Sequence, residues 1–268
     1  MCMEFVEEVT ITAPVKLYEC FAGKPVEKMP VLLRNHTPIT LNQVFEKRVD
    51  GSDDSEVFRN SYITTGDQFI RDPKGDGMKY VRADHPLAVE LNTSMNFTNQ
   101  LKNWSLPVSK DQYEALVADE VHTFSPSVVK ALRNGAYSLP NERQAFFEFA
   151  LSGNSDLFKE NLALQEAKGR TLDDSLGVYP SEYAGMRLVW VGSVGDEYSY
   201  ADGNYDLDYI FGRLVGVAPE VHSEVPESTQ KNSDLQIVTP SLEQTLAIVN
   251  NPDYNRVDMV EAISQLYK

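Results

Sequence analysis

Between residues 106 and 169 the chain is cut into short pieces by helix start and stop signals, and this limits its architecture more than any other feature. Ser109 is placed to cap a helix through Val121, with Tyr113, Leu116, Val117 and Val121 on one stripe. Ser125 and Pro126 read as an N-cap and first helical position, and Gly135 ends that helix after Val129 and Leu132. Pro140 opens a third helix carrying Phe146, Phe147 and Phe149, closed by Gly153. Ser155 starts a fourth, with Leu157, Phe158, Leu162 and Ala163 buried, closed by Gly169. Four helices with their own stop signals predict a compact helical unit.

The flanking segments have a different period. Val9 to Thr12 and Val15 to Phe21 largely alternate apolar and polar side chains, as a half-buried strand does. Pro14, Pro25, Pro30 and Pro38 suit strand edges and connections better than a helix. Asp50 to Ser55 and Asp72 to Gly77 are loop compositions, with strand pieces at Tyr62-Ile63, Phe69-Ile70 and Tyr80-Val81 between and after them. Strands return from Met186: Met186 to Val194 is strand-like around Trp190, and Tyr205 to Val217 contains another. The expected fold is therefore α+β: a mixed or antiparallel sheet interrupted by a compact helical unit, with a C-terminal helical tail. Its body spans 1–221, strand-rich over 1–105 and 170–221 and helical over 106–169. A polar linker follows at 222–233, then a tail at 234–268. Within the tail, Leu242, Leu246 and Val249 align on one predicted helix, and Val257, Val260, Ile263 and Tyr267 on a second.

Charge narrows the partners. The chain holds 40 Asp and Glu against 24 Lys and Arg, a formal net charge of −16. Residues 171–268 alone carry 16 acids against 5 bases, whereas residues 121–170 carry 5 against 6. Binding DNA requires cations to replace counterions along the phosphates, and no basic run exists here, so direct nucleic-acid binding is not expected. Anionic membranes are disfavoured for the same reason, and no apolar run approaches the length of a spanning helix. The N-terminal Met1 to Glu8 is acidic where a signal peptide would be basic. The two cysteines, Cys2 and Cys20, build neither a disulfide framework nor a zinc site, and a cytoplasmic protein is expected.

The densest constellation runs from Glu197 to Phe211. Asp202-Gly203-Asn204 reads as a turn between two strands. Alternation then puts Tyr205, Leu207 and Tyr209 on one face and Asp206 and Asp208 on the other, with Tyr198 and Tyr200 meeting the tyrosines across the hairpin. One reading is a tyrosine-lined recognition surface with an acidic back; the other is an aromatic face packed on the core over solvated aspartates. Asp202, Asn204, Asp206 and Asp208 also alternate as in an EF-hand loop. The glycine and glutamate that such a loop needs are replaced by Leu207 and Arg213, so no metal site is expected.

Catalytic signatures are absent from the sequence. Gly192-Ser193-Val194-Gly195 lacks the spacing of a nucleophile elbow, and neither a phosphate-binding loop nor a dinucleotide fingerprint occurs, so no cofactor is expected. His36, His85, His122 and His222 are far apart, and His36 and His85 look like turn residues.

These observations lead to a non-enzymatic protein–protein interaction or assembly factor. Its candidate contact residues are Tyr198, Tyr200, Asp202, Tyr205, Asp206, Asp208 and Tyr209, with Val257, Val260, Ile263 and Tyr267 of the tail. In general character, though by no motif, the chain is similar to accessory proteins of tailed bacteriophages, which implies an assembly or host-takeover role. Two alternatives stand beside it: an acidic nucleic-acid mimic, and a metal-dependent hydrolase with a carboxylate site. A homo-oligomer in which one subunit's tail packs on another would reconcile docking and core roles for the tail.

Overall fold

A computed structural model describes residues 18–219, apart from 75–76, 97–99, 134–139, 172–176, 180, 182 and 197–200. Along the chain come β1 (Tyr18–Ala22), α1 (Pro25–Leu32), β2 (Thr37–Pro38), α2 (Leu41–Val49), α3 (Ser55–Asn60), β3 (Ile63–Arg71), β4 (Met78–Val81) and α4 (Pro86–Ser94). Then follow α5 (Lys110–Glu114), β5 (His122–Phe124), α6 (Pro126–Arg133), α7 (Pro140–Ala150), α8 (Ser155–Ala167), β6 (Val178–Tyr179), β7 (Gly185–Val191), β8 (Ala201–Asp202) and β9 (Arg213–Val217). The protein is α+β with a mixed sheet, the class that its sequence predicts. The linker and tail, including Val257, Val260, Ile263 and Tyr267, lie outside the described residues.

β3 is the centre of the sheet. It pairs antiparallel with β7, antiparallel with β4, and in parallel with β9 through Thr64 and Leu214. β9 in turn pairs with β1 along its length and with β2 at Gly216 and Val217. β8 joins β7 to β6, the last pair being parallel. Helices cover both faces. One apolar cluster contains Phe45, Phe58, Phe69, Tyr80, Phe146 and Phe147; the other contains Met29, Ile70, Val81, Leu91, Met186 and Leu188. Phe69 and Ile70 are adjacent in β3 and enter different clusters, so every residue of β3 and β7 is buried. A strand covered on both faces loses the polar alternation of a half-exposed one.

Among the described residues of the first 105 there are four helices, where the sequence suggests mainly strands. Pro25 does not interrupt α1: it sits in the first turn, where a missing N–H leaves no bond unmade. Thr40 caps α2 through a reciprocal box, its hydroxyl accepting from Gln43 N at 3.2 Å while Gln43 Oε1 accepts from Thr40 N at 3.0 Å. Thr40→Ala is expected to lower the unfolding free energy by about 1 kcal/mol, measured by denaturant titration. An unchanged midpoint would show that the cap adds nothing.

The helical stretch also departs from expectation. α6, α7 and α8 begin at Pro126, Pro140 and Ser155, as their signals predict. The first helix stops at Glu114 and does not reach Val121. Lys79 Nζ, from β4, donates to the carbonyls of Tyr113 at 2.9 Å and Leu116 at 2.8 Å and so terminates it. Leu116 and Val121 then reach the core, Val117 is left exposed, and β5 enters the sheet beside β4 inside the predicted helical unit. On α8 the buried positions are Leu157, Asn161 and Gln165, while Ala163 faces solvent.

Two buried polar groups tie distant segments together. Asp67, wholly buried, accepts from Leu41 N at 2.6 Å, Tyr80 Oη at 2.7 Å and Ala83 N at 2.8 Å, joining the start of α2 to β4 and the turn after it. Burial raises its pKa to about 6 despite those three donors. Arg48 donates from Nε to Phe58 O at 3.1 Å and from Nη2 to Gly192 O, linking α2 to α3 and to the end of β7.

Candidate binding surface

At the end of β7 the core opens into a row of aromatic rings. Trp190 stacks on Tyr62, with centroids 5.4 Å apart and planes at 22°, and packs on Tyr205 at 3.8 Å. Tyr209 lies 5.3 Å from Tyr205 and meets Trp190 edge-on at 5.7 Å; Phe211 stands edge-on to Tyr209 at 5.6 Å. The row runs from a buried ring outward: Trp190 is almost fully enclosed, while Phe211 is 66% exposed and its neighbour Ile210 59%.

Its inner end is fixed by hydrogen bonds. Trp190 Nε1 donates to Thr64 Oγ1, which also accepts from Arg213 N at 3.3 Å. Tyr62 Oη donates to Asp196, and that bond, with burial, raises the phenol to about 12. The turn carrying Asp196 is held against α8 by Gly195 N donating to Gln165 Oε1 at 2.7 Å and by Arg170 Nε donating to Gly195 O at 2.9 Å.

The loop that carries its outer rings is tied at Asn204 and Asp206 to Arg187, whose side chain is wholly buried. Nε donates to Ser105 Oγ at 2.8 Å, Nη2 to Asn103 O at 2.9 Å and Nη1 to Asn204 O; Nη2 also lies 2.9 Å from Asp206 Oδ1. The guanidinium stands 5.1 Å from the centre of the Tyr183 ring. One cation thus clamps the turn at 103–105 to the loop after β8. In that turn Asn103 and Trp104 have φ of 50° and 62°, a conformation costly for a bulky residue, and Trp104 is 50% exposed. Leu207 N donates to Trp104 O at 3.1 Å and ties that turn to the same loop.

The expected hairpin is not formed. β8 has only two residues, and 203–212 is an irregular loop. Leu207 is buried in the core, with its N–H bonded to Trp104 O and its carbonyl accepting from Val26 N, so it leaves the face it was expected to share with Tyr205 and Tyr209. Those two tyrosines do come together, on Trp190. Tyr198 and Tyr200 lie outside the described residues. The acidic back also divides. Asp202 is buried and accepts from Asn204 N at 2.6 Å; Asp206 pairs with Arg187; Asp208 is half-buried. Burial raises Asp202 to about 7, against the lowering effects of the Asn204 N–H and Arg187. Gly203 follows because its Cα faces Phe69: a Cβ there would lie 2.4 Å from Phe69 Cδ2. Tyr62, Trp104, Arg187, Trp190, Ile210 and Phe211 join the surface without a sequence signal that singles them out. The closest to one was Trp190, at the end of the most apolar strand.

A cavity of about 530 Å³ lies elsewhere, among α2, α4 and the turn at 82–84, and shares no residue with the aromatic row. Many of its polar groups are already engaged within the protein. Thr40 and Gln43 form the α2 cap, Asn92 bonds Gly66 O and Gln68, Arg82 bonds Ser152, and Asn42 bonds Glu46. Among the described residues no group of three His, Cys, Asp or Glu could hold a metal ion, and no helix is long and apolar enough to cross a membrane.

The α+β framework has a counterpart among solved structures. The chain is similar to a solved structure that describes the accommodation of massive sequence variation in Nanoarchaeota by the C-type lectin fold. The TM-score is 0.53 at 14% identity, over 77% of this chain and 99% of that one. At that identity the likeness is one of fold. No protein-family model and no curated protein matches the sequence.

Proposed function

We propose that the chain is a non-enzymatic binding protein that recognises a protein partner through the loop at 203–212 and the adjoining Trp104 turn. The observation that carries this reading is the exposure of Ile210 and Phe211, 59% and 66%, on a loop whose backbone is clamped from beneath by Arg187. Large apolar side chains held rigidly at a surface lose little entropy on binding, and they gain the area that a protein partner covers. The fold likeness fits this reading, in that the similar structure is described as accommodating massive sequence variation. An acidic mimic of nucleic acid has less support, because Asp202 is buried and Asp206 is paired inside the protein. Assembly is one form that such binding takes.

Ile210→Ser with Phe211→Ser is expected to abolish partner capture at both low and high salt. It should leave the unfolding free energy within about 0.5 kcal/mol of the parent, as surface changes do. Val117→Ser, exposed on a different segment, should capture normally. Capture unaffected by the double substitution would remove the loop from consideration, and capture lost only at high salt would favour the acidic mimic.

A further inference from the structure

We infer that the cavity among α2, α4 and the turn at 82–84 binds a small organic cation, an ammonium group on an apolar body, with Glu46 as its anionic anchor. The site is separate from the aromatic loop, with which it shares no residue.

The walls of this cavity are fixed before any ligand arrives. Pro38 and Ala83 line it, and both close over Gly66, where a Cβ would lie 2.4 Å from Pro38 Cβ and 2.9 Å from Ala83 Cβ. Behind them Asp67 accepts from Leu41 N and Ala83 N, so one buried carboxyl holds the start of α2 and the 82–84 turn to β3. Asn92 pins α4 to the same strand, donating to Gly66 O at 3.2 Å and accepting from Gln68 Nε2 at 2.8 Å. A volume of about 530 Å³ between walls held in this way suits a small molecule, whose preformed sites span roughly 300–1,000 Å³.

The ligand's chemistry follows from what those bonds leave over. Arg82 donates from Nη1 to Ser152 Oγ at 2.8 Å and stands 3.3 Å from Asp84, so the cation of the wall is already matched by a carboxylate. Glu46 remains. Asn42 Nδ2 holds its Oε1 at 2.8 Å, and among the described residues no cation pairs with it. A carboxylate oriented by a neutral amide is best matched by a donor that carries positive charge. The apolar part of the wall supplies the rest: Val89 is 49% exposed, and Leu33 and Pro38 are half-buried, surfaces that an apolar body would cover. An anionic ligand would meet Glu46 and Asp84 with only a paired guanidinium to offset them, on a chain of net charge −16.

Hexylammonium chloride is the probe, with hexanol as its uncharged counterpart and sodium hexanoate as its anionic one. Each is titrated into the full chain, with the methyl resonances of Val89 and Ala83 reporting occupancy. Hexylammonium should bind about fivefold more tightly than hexanol, as a partly exposed ion pair allows, and hexanoate more weakly than either. Glu46→Gln keeps an acceptor for Asn42 and removes only the charge, so it should bring hexylammonium to the affinity of hexanol. Glu90→Gln, on α4 but outside the cavity, should leave the preference intact. Ile210→Ser with Phe211→Ser should bind the probes as the parent does, whether or not the loop captures a partner. Equal affinities in the parent, a preference that survives Glu46→Gln, or one lost equally in Glu90→Gln would overturn the inference. So would methyl resonances of Val89 and Ala83 that no probe shifts, and loss of probe binding in the double-serine variant would place the probes on the loop instead.

Discussion

Arg187→Leu should cost about 3–5 kcal/mol of stability and eliminate binding through the 203–212 loop, the range found when one partner of a buried ion pair is removed. Arg187 is wholly buried and serves Ser105, Asn103, Asn204 and Asp206 together. Leucine fills part of the volume but leaves the carbonyls of Asn103 and Asn204 without their donor and Asp206 without its countercharge. The turn at 103–105 and the loop after β8 would then separate, and Trp104 would lose the restraint on its left-handed backbone. Arg187→Lys should recover little, because one ammonium cannot reproduce a planar fork directed at several acceptors. Asp206→Asn should cost less, about 1–2 kcal/mol, since asparagine keeps an oxygen toward Nη2 and Arg187 retains Ser105 Oγ, Asn103 O and Asn204 O as acceptors. Denaturant unfolding of the three variants, with Trp fluorescence as the second readout, decides the matter. A leucine variant as stable as the parent would show that the loop is held by something other than this guanidinium.

Arg187 also illustrates what the sequence conceals. In β7 it reads as a polar interruption of an apolar strand, and nothing nearby announces that its partners lie at 103–105 and 204–206. Asp67 is similar: its three donors come from residues 41, 80 and 83, and each of those bonds exists only once the sheet has formed. Local signals did better. Pro126, Pro140 and Ser155 mark the starts of α6, α7 and α8, because helix initiation depends on a few neighbouring residues. The same logic failed at Ser109, where the cap is real but Lys79 from β4 ends the helix after a single turn and a half. The strand expected within residues 205–217 is β9, from Arg213; Leu207 gives both of its backbone groups to Trp104 and Val26. The pairing of Tyr205 with Tyr209 was legible. Their landing on Trp190 was not, because that contact spans the loop and the far end of β7.

Asp202→Asn should stabilise the protein at pH 8 and make no difference near pH 4. Burial raises the Asp202 carboxyl from 3.8 to about 7. A group whose folded pKa lies above its unfolded value binds protons more readily in the folded state. Its contribution to stability is therefore complete below about pH 4, and it is lost as the pH rises through 7. At pH 8 the native protein holds an ionised carboxylate in a poorly hydrated place; asparagine removes that charge and keeps an oxygen to accept from Asn204 N, 2.6 Å away in the parent. The difference in unfolding free energy at pH 8 is bounded by the shift itself, roughly 4 kcal/mol, in which the attraction to Arg187 is already included. Asp67, raised to about 6 by burial, acts in the same direction between about pH 4 and 6. The variant should therefore keep Asp67's part of the pH dependence, between about pH 4 and 6, and lose Asp202's, which runs from about pH 4 to 7. Denaturant unfolding of parent and variant at pH 4, 6 and 8 separates the two carboxyls. Equal differences at all three values, or a destabilised variant at pH 8, would mean that Asp202 is favourably ionised where it sits, and that Arg187 and the Asn204 amide outweigh its burial.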